Sequence, residues 1–168
     1  RQAEKLYQLT EEAAGLTGQE TLYDLYCGTG SIGIFMSPGA KKIIGVEQVA
    51  AAIDDARENA QLNNLNNTSF FAGDVIDICT SDFFAAQGQA DVVVTDPPRA
   101  GMHPKLIEKL IEINAPTVVY VSCNPATQAR DLQLLDTHYQ VTKVQPVDMF
   151  PHTHHIECVA LLTLKTNH

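Results

Sequence analysis

Residues 118–125 (VVYVSCNP) set a lone cysteine at the end of an apolar, β-branched run. Such a run reads as a short buried parallel strand. Asn124-Pro125 stops it, because proline has no N–H for the ladder. Residues 126–135 (ATQARDLQLL) then have helical spacing. Cys123 therefore sits where a strand's carboxyl end meets a helix's amino end, and the helix dipole there favours a thiolate. A thiolate is a nucleophile; the plain alternative is a small buried packing residue. The rim position recurs along the chain: apolar runs end near Asp24 and Tyr26, at Glu47, beside Asp74 and at Asp96. In an open α/β sheet these ends converge on one crevice where ligands bind. One edge loaded so regularly with reactive side chains predicts an active site.

Residues 28–33 (GTGSIG) match G-x-G-x-x-G after a strand and before a helix, and Glu47 follows at the next strand's end. Taken literally, this is a dinucleotide fingerprint with Glu47 on ribose hydroxyls. The same geometry suits S-adenosylmethionine, whose ribose also presents two hydroxyls. A dinucleotide brings a pyrophosphate to the helix N-terminus, whereas S-adenosylmethionine brings a sulfonium and an ammonium. Asp24, four residues before Gly28, favours the cationic ligand. Gly28, Gly30 and Ser31 would form the turn around it, and Asp74 after Gly73 would accept from the adenine amine or sit near it. A glycine-rich turn without ligand, and a common Gly-Asp turn, are the plain readings.

Asp96-Pro97-Pro98-Arg99 is a rigid, extended loop, because two prolines follow the acid. Amino-methyltransferases carry a similar acid- or amide-Pro-Pro followed by an aromatic residue. Arg99 replaces that stacking group with a cation, which speaks against methylation of an exocyclic amine.

The elements that position these residues follow from periodicity. Helices are expected over 1–16, 32–37, 49–62, 77–86, 104–113 and 126–135, the fifth with Pro104 in its first turn. Strands are expected over 21–26, 42–47, 68–72, 90–95, the run from Val118, 139–147 and 157–164. The alternation predicts an α/β fold: a Rossmann-like, doubly wound, mostly parallel seven-stranded sheet with an antiparallel C-terminal strand.

A chain of 168 residues with 45% hydrophobic and 18% charged residues fits one globular domain over 1–168. No apolar run approaches the ~20 residues of a membrane span, and no signal-peptide pattern opens the sequence. Cys27, Cys79, Cys123 and Cys158 form no CxxC pair, so no zinc or iron–sulfur spacing is encoded. Cys27 and Cys79 read as packing residues, and Cys158 should face the core. A reduced, cytoplasmic setting and a monomer are expected. The net charge of −9 speaks against gripping nucleic acid by bulk electrostatics. It leaves room for handling a single nucleotide while another domain grips. His152, His154, His155 and Cys158 form an HxHHxxC cluster, but alternate strand side chains point to opposite faces, so no metal is expected.

In this order, DLYCGTGSIG, GVE, DPPRAG, SCNPATQARDL and HIEC closely resemble the catalytic domain of the RNA uracil-5-methyltransferases that act on ribosomal or transfer RNA. The resemblance covers residues 22–164 and implies a class I methyltransferase fold, S-adenosylmethionine as methyl donor, and 5-methyluridine as product. It places 23S ribosomal RNA ahead of transfer RNA as substrate. By the same resemblance Cys123 matches the nucleophile and Glu157 the base. Asp96 matches the acid that positions the uracil or lies against the cofactor. Tyr26, Ser31, Glu47 and Asp74 match cofactor contacts. The Pro97, Pro98 and Arg99 loop would meet substrate. Arg130 could reach phosphates, although a solvated surface arginine is the simpler reading.

The chemistry is consistent with this. Uracil C5 attacks a methyl sulfonium only after a thiolate adds to C6, and a base must then remove the C5 proton. The target base must leave its stack. Such enzymes usually carry an N-terminal RNA-binding β-barrel and a central domain, some with an iron–sulfur cluster. An upstream cofactor-binding segment, usually containing a glutamine, is also absent here. The chain is thus expected to be the catalytic part of something longer, binding cofactor weakly and RNA poorly alone. Three alternatives remain open: a cytosine-C5 methyltransferase, a nicotinamide-dependent oxidoreductase using the same turn, and a non-catalytic adenosine-binding module.

Overall fold

Seven strands form one sheet in the computed structural model, which describes residues 2–149 and 156–166. The strands are β1 Thr21–Leu25, β2 Lys42–Glu47, β3 Thr68–Ala72, β4 Val92–Thr95, β5 Thr117–Ser122, β6 Tyr139–Asp148 and β7 Ile156–Leu164. Their order is β3-β2-β1-β4-β5-β7-β6. β1 to β5 pair in parallel, and β7 runs antiparallel between β5 and β6. The helices are α1 Gln2–Ala14, α2 Ser31–Met36, α3 Ala50–Leu62, α4 Val75–Ile78, α5 Ser81–Gln87, α6 Pro104–Ile113 and α7 Pro125–Leu135. A 3₁₀ turn, Ser37–Gly39, follows α2.

Both sheet faces are covered, which is why the central strands read as unbroken apolar runs. Leu22, Val92, Val94, Val119 and Val121 pack with Leu6 and Met36 on one side. Tyr23, Leu25, Val93, Val118 and Tyr120 alternate with them and pack under Leu106, Leu110 and Leu135 on the other. Chain order reverses between β1 and β4, and the crevice of an open sheet lies at such a switch point. The turn after β1 and the loop after β4 flank it.

The expected elements are present, with two differences. The single helix expected over 77–86 is two. Asp74 caps α4 by accepting from the Ile76 N–H, Cys79 leaves helical geometry, and the Thr80 hydroxyl accepts from Phe83 N–H to begin α5. Tyr26 is not the last residue of β1: its φ of 60° turns the chain back at Leu25. Cys27, Cys79 and Cys158 are buried, as their packing role requires.

Gly45 in β2 allows Phe70 and Cys27 to close over it, so that β2 and the turn after β1 meet without a gap. A Cβ there would lie 2.4 Å from Phe70 Cδ1 and 3.0 Å from Cys27 Sγ. Gly45→Ala is expected to lower stability by about 2 kcal/mol through overpacking, read as a lower denaturation midpoint in urea.

Candidate active site

Three left-handed residues fold the chain after β1 into a tight turn: Tyr26 at φ 60°, Gly28 at 55° and Gly30 at 83°. Glu47, at the end of β2, fastens that turn. Its Oε1 accepts from Gly28 N–H at 3.2 Å and its Oε2 from Val49 N–H at 2.9 Å. A Cβ on Gly28 would meet nothing within 4 Å, so its backbone is open to a ligand. Gly33 packs α2 onto β1 and β2, where a Cβ would sit 2.9 Å from Ile43 Cγ2. Ser31 is exposed at the start of α2. Asp24 lies beneath the turn, 1% exposed, with Oδ2 accepting from Gly33 N–H at 3.2 Å. Its Oδ1 is buried with no partner. Burial, then Asp96 and Glu47, push its pKa up to about 8.

Tyr26, Glu47 and Asp74 line one cleft of about 310 Å³. Burial first, then Asp74, Asp131 and Glu47, raise the Tyr26 phenol to about 12, so it stays a hydrogen-bond donor. Sequence reasoning missed His103, Lys105 and Leu106, which close the cleft from the start of α6. Pro104 marked that helix start, but a histidine cap is an uncommon choice. The His103 Nδ1 accepts from Lys105 N–H at 3.1 Å.

The reactive ends lie next to this cleft. β5 and β7 pair in register as far as Ser122↔Cys158. One step further along that antiparallel register, Cys123 comes opposite Glu157. The Cys123 side chain is half-buried. Asp96 is also partly buried at the end of β4; burial, then the charge of Glu157, push it up to about 7. Asp96, Cys123 and Glu157 thus share one edge.

The loops after β4 and β5 are fastened to each other. The Arg99 carbonyl accepts from Asn124 Nδ2 at 3.1 Å and from Thr127 Oγ1 at 3.0 Å. Asn124 also caps α7 through Ala126 N–H at 3.1 Å. Asp131 is fully buried, and its Oδ2 accepts from Tyr120 OH at 2.6 Å and Met102 N–H at 2.9 Å. Arg130 lies at the surface, as expected, with its side chain 53% exposed. Its guanidinium donates to Asp131 Oδ1 at 3.1 Å and to the Ala100 carbonyl at 2.9 Å. Gly101, φ 82°, lies against this pair, and a Cβ would come 2.6 Å from Arg130 Nη2. Pro97 is buried, whereas Pro98 and Arg99 are exposed. The SCNPATQARDL motif contained Asp131, but nothing in its spacing shows that a carboxylate is buried.

His152, His154 and His155 lie outside the described residues. Among the described residues no cluster of three or more potential ligands could hold a metal. No helix among them is long and apolar enough to cross a membrane.

A family model described as tRNA (Uracil-5-)-methyltransferase matches residues 3–165. A Bacteroides thetaiotaomicron protein named as an uncharacterized RNA methyltransferase is 55% identical over 164 residues, which are 98% of this chain and 36% of that protein. The chain thus spans about a third of that relative's length. The Pyrococcus abyssi tRNA (uracil-54, C5)-methyltransferase, solved in complex with S-adenosyl-L-homocysteine, superposes with a TM-score of 0.79 at 35% identity. The match covers 93% of this chain and 37% of that one. The N-methyltransferase NodS of Bradyrhizobium japonicum gives the same TM-score at 13% identity, over 98% and 97% of the two chains, a likeness of fold alone.

A carboxyl whose pKa is raised on folding binds its proton more tightly folded than unfolded, so ionising it costs stability. The Asp24 contribution therefore declines as pH rises from near 4 towards about 8. Asp24→Asn cannot ionise, and its stability relative to the unaltered protein is expected to climb across that window. Urea melts of both proteins at several pH values check this; parallel curves would mean that Asp24 gains no proton affinity on folding.

Proposed function

We propose, for a chain that belongs to the tRNA (uracil-5-)-methyltransferase family, that it transfers a methyl group from S-adenosylmethionine to C5 of a uridine in RNA through a covalent Cys123 adduct. The observation that carries this reading is the antiparallel register that sets Glu157 opposite Cys123 at the edge where Asp96 ends β4. A nucleophile and a base side by side are what substitution at uracil C5 requires.

The cleft fits the methyl donor. When bound, S-adenosylmethionine supplies an electrophilic methyl on a sulfonium. Glu47 and Asp74 offer carboxylates to its hydroxyls and amine, Tyr26 offers a half-buried ring, and Gly28 offers open backbone. Glu47 and Asp74 make the cleft a poor setting for a pyrophosphate, and Asp24 and Asp96, raised to about 8 and about 7, ionise more readily beside a cation than beside an anion. That favours the methyl donor over a nicotinamide dinucleotide.

The Cys123 thiolate adds to uracil C6, moving the C5=C6 electron pair towards the C4 carbonyl, and C5 becomes nucleophilic. After C5 takes the methyl, the Glu157 carboxylate accepts the C5 proton. The C–H electrons re-form C5=C6, the C6–S bond breaks, and the thiolate leaves. Asp96, held up to about 7 by burial and by Glu157, keeps a proton for part of the population at neutral pH and can donate it in a hydrogen bond to a uracil carbonyl. The uridine is unstacked to enter, and the exposed Arg99 offers a cation to its phosphates. Cys123 must remain a thiol, so a reducing, cytoplasmic setting belongs to this reading. The same catalytic edge serves ribosomal or transfer RNA, and the choice between them belongs to other parts of such enzymes.

RNA carrying 5-fluorouridine tests the mechanism, because fluorine at C5 cannot leave as a proton would. With S-adenosylmethionine, a protein–RNA band stable in a denaturing gel is expected, and Cys123→Ala should abolish it. On ordinary RNA, Glu157→Gln should slow release by about 10²–10⁴-fold and accumulate the methylated adduct. Turnover that survives Cys123→Ala would overturn the mechanism.

A further inference from the structure

The proposed reaction needs Glu157 at the C5 proton while Cys123 holds C6, and two different strands carry these residues. The β5–β7 ladder ends at Ser122↔Cys158, one step short of both. A side chain strengthens the junction there. Gln128 in α7 is 3% exposed, and its Nε2 donates to the Tyr120 carbonyl and to the Cys158 carbonyl, each at 3.1 Å. One acceptor belongs to β5, three residues before Cys123; the other belongs to β7, directly after Glu157. Both amide hydrogens are thereby used. The Gln128 backbone N–H donates to the Asn124 carbonyl at 3.0 Å, closing the helical turn that begins just after Cys123. A single residue thus joins β5, β7 and the loop between β5 and α7. Packing alone does not call for an amide, since a methionine of similar length would fill the same space.

We infer that Gln128 is a positioning residue that holds Glu157 in register with Cys123, and so governs proton removal and release more than adduct formation. The inference rests on the methyl-transfer reading above. The asymmetry arises because the Cys123 loop has other fastenings. Ser122 Oγ accepts from Asn124 N–H at 3.0 Å, and Asn124 Nδ2 donates to the Arg99 carbonyl at 3.1 Å. Neither involves the Gln128 side chain. Removing its donors loosens β7 against β5 while that loop stays fastened.

The test is rapid-quench kinetics of the full-length protein with S-adenosylmethionine and ordinary uridine RNA, following formation and release of the adduct separately. Gln128→Met is expected to form adduct within about threefold of the unaltered rate and to release it at least about tenfold more slowly, as misplacement of a catalytic group by a fraction of an ångström implies. Gln128→Asn, which keeps the amide but cannot span both carbonyls, should show the same split and serves if the methionine variant does not fold. In the double variant with Glu157→Gln, release should be no slower than with Glu157→Gln alone, because both losses act on one step. Formation and release falling together, unchanged release, or additive losses in the double variant would each overturn the inference and leave methyl transfer standing. An unaltered protein that makes no 5-methyluridine would overturn both.

Discussion

A strand running antiparallel to its neighbours delivers its first residues to the edge where theirs end. β7 is that strand, and the site depends on it. β1, β2, β4 and β5 each bring a carboxyl end to the rim, with Glu47, Asp96 and Cys123 at or next to those ends. A parallel β7 would have left Glu157 at the opposite side of the sheet, about the length of a strand away. Inserted antiparallel between β5 and β6, it brings Glu157 opposite Cys123. The proposed base comes from the start of a strand and the proposed nucleophile from the end of its neighbour, and their relation is set by sheet register. Register is among the more rigid relations a fold offers, because a one-residue slip would turn every β7 side chain to the other face.

Register alone does not hold the loops that follow the strands. Here buried polar groups in α7 take over. Asp131 gathers the Tyr120 hydroxyl, the Met102 N–H and Arg130, while Asn124 and Thr127 hold the Arg99 carbonyl. The loop after β4 is thereby fixed to the helix after β5. A buried carboxylate with several donors is stable as long as they remain, and each donor lost leaves its desolvation less fully compensated. That mutual dependence makes the arrangement specific: the two loops have one way to satisfy the same carboxylate.

Much of this was legible in the sequence, for a physical reason. Strands buried on both faces must be continuous in hydrophobicity, and turns that need positive φ favour glycine, so the sheet and the turn at residues 28–33 are written locally. The antiparallel C-terminal strand and the edge bearing Asp96, Cys123 and Glu157 followed from the order of motifs and from the family resemblance. What was not legible depends on partners distant in sequence. Arg130 read as a solvated surface residue, and it is exposed; that its guanidinium also clamps the Ala100 carbonyl, thirty residues away, is settled only by folding. Asp24 read as a carboxylate facing a ligand, and its burial depends on how closely Gly33 lets α2 approach. The break at Cys79-Thr80 hid within one helical pattern, because a threonine cap and a threonine in a helix look alike until the backbone is placed.

The electrostatics of the rim connect these observations. Asp24, Glu47, Asp74, Asp96 and Glu157 gather around a crevice in a chain whose net charge is −9. Carboxyls so close cannot all ionise without cost, and folding places the burden unevenly. Glu47 spends both oxygens on backbone N–H groups, whereas Asp24 and Asp96 are driven towards their neutral forms, Asp24 by burial and by Asp96, Asp96 by burial and by Glu157. A bound cation would lower the cost of ionising these carboxyls, and the sulfonium of the proposed methyl donor would bring such a charge.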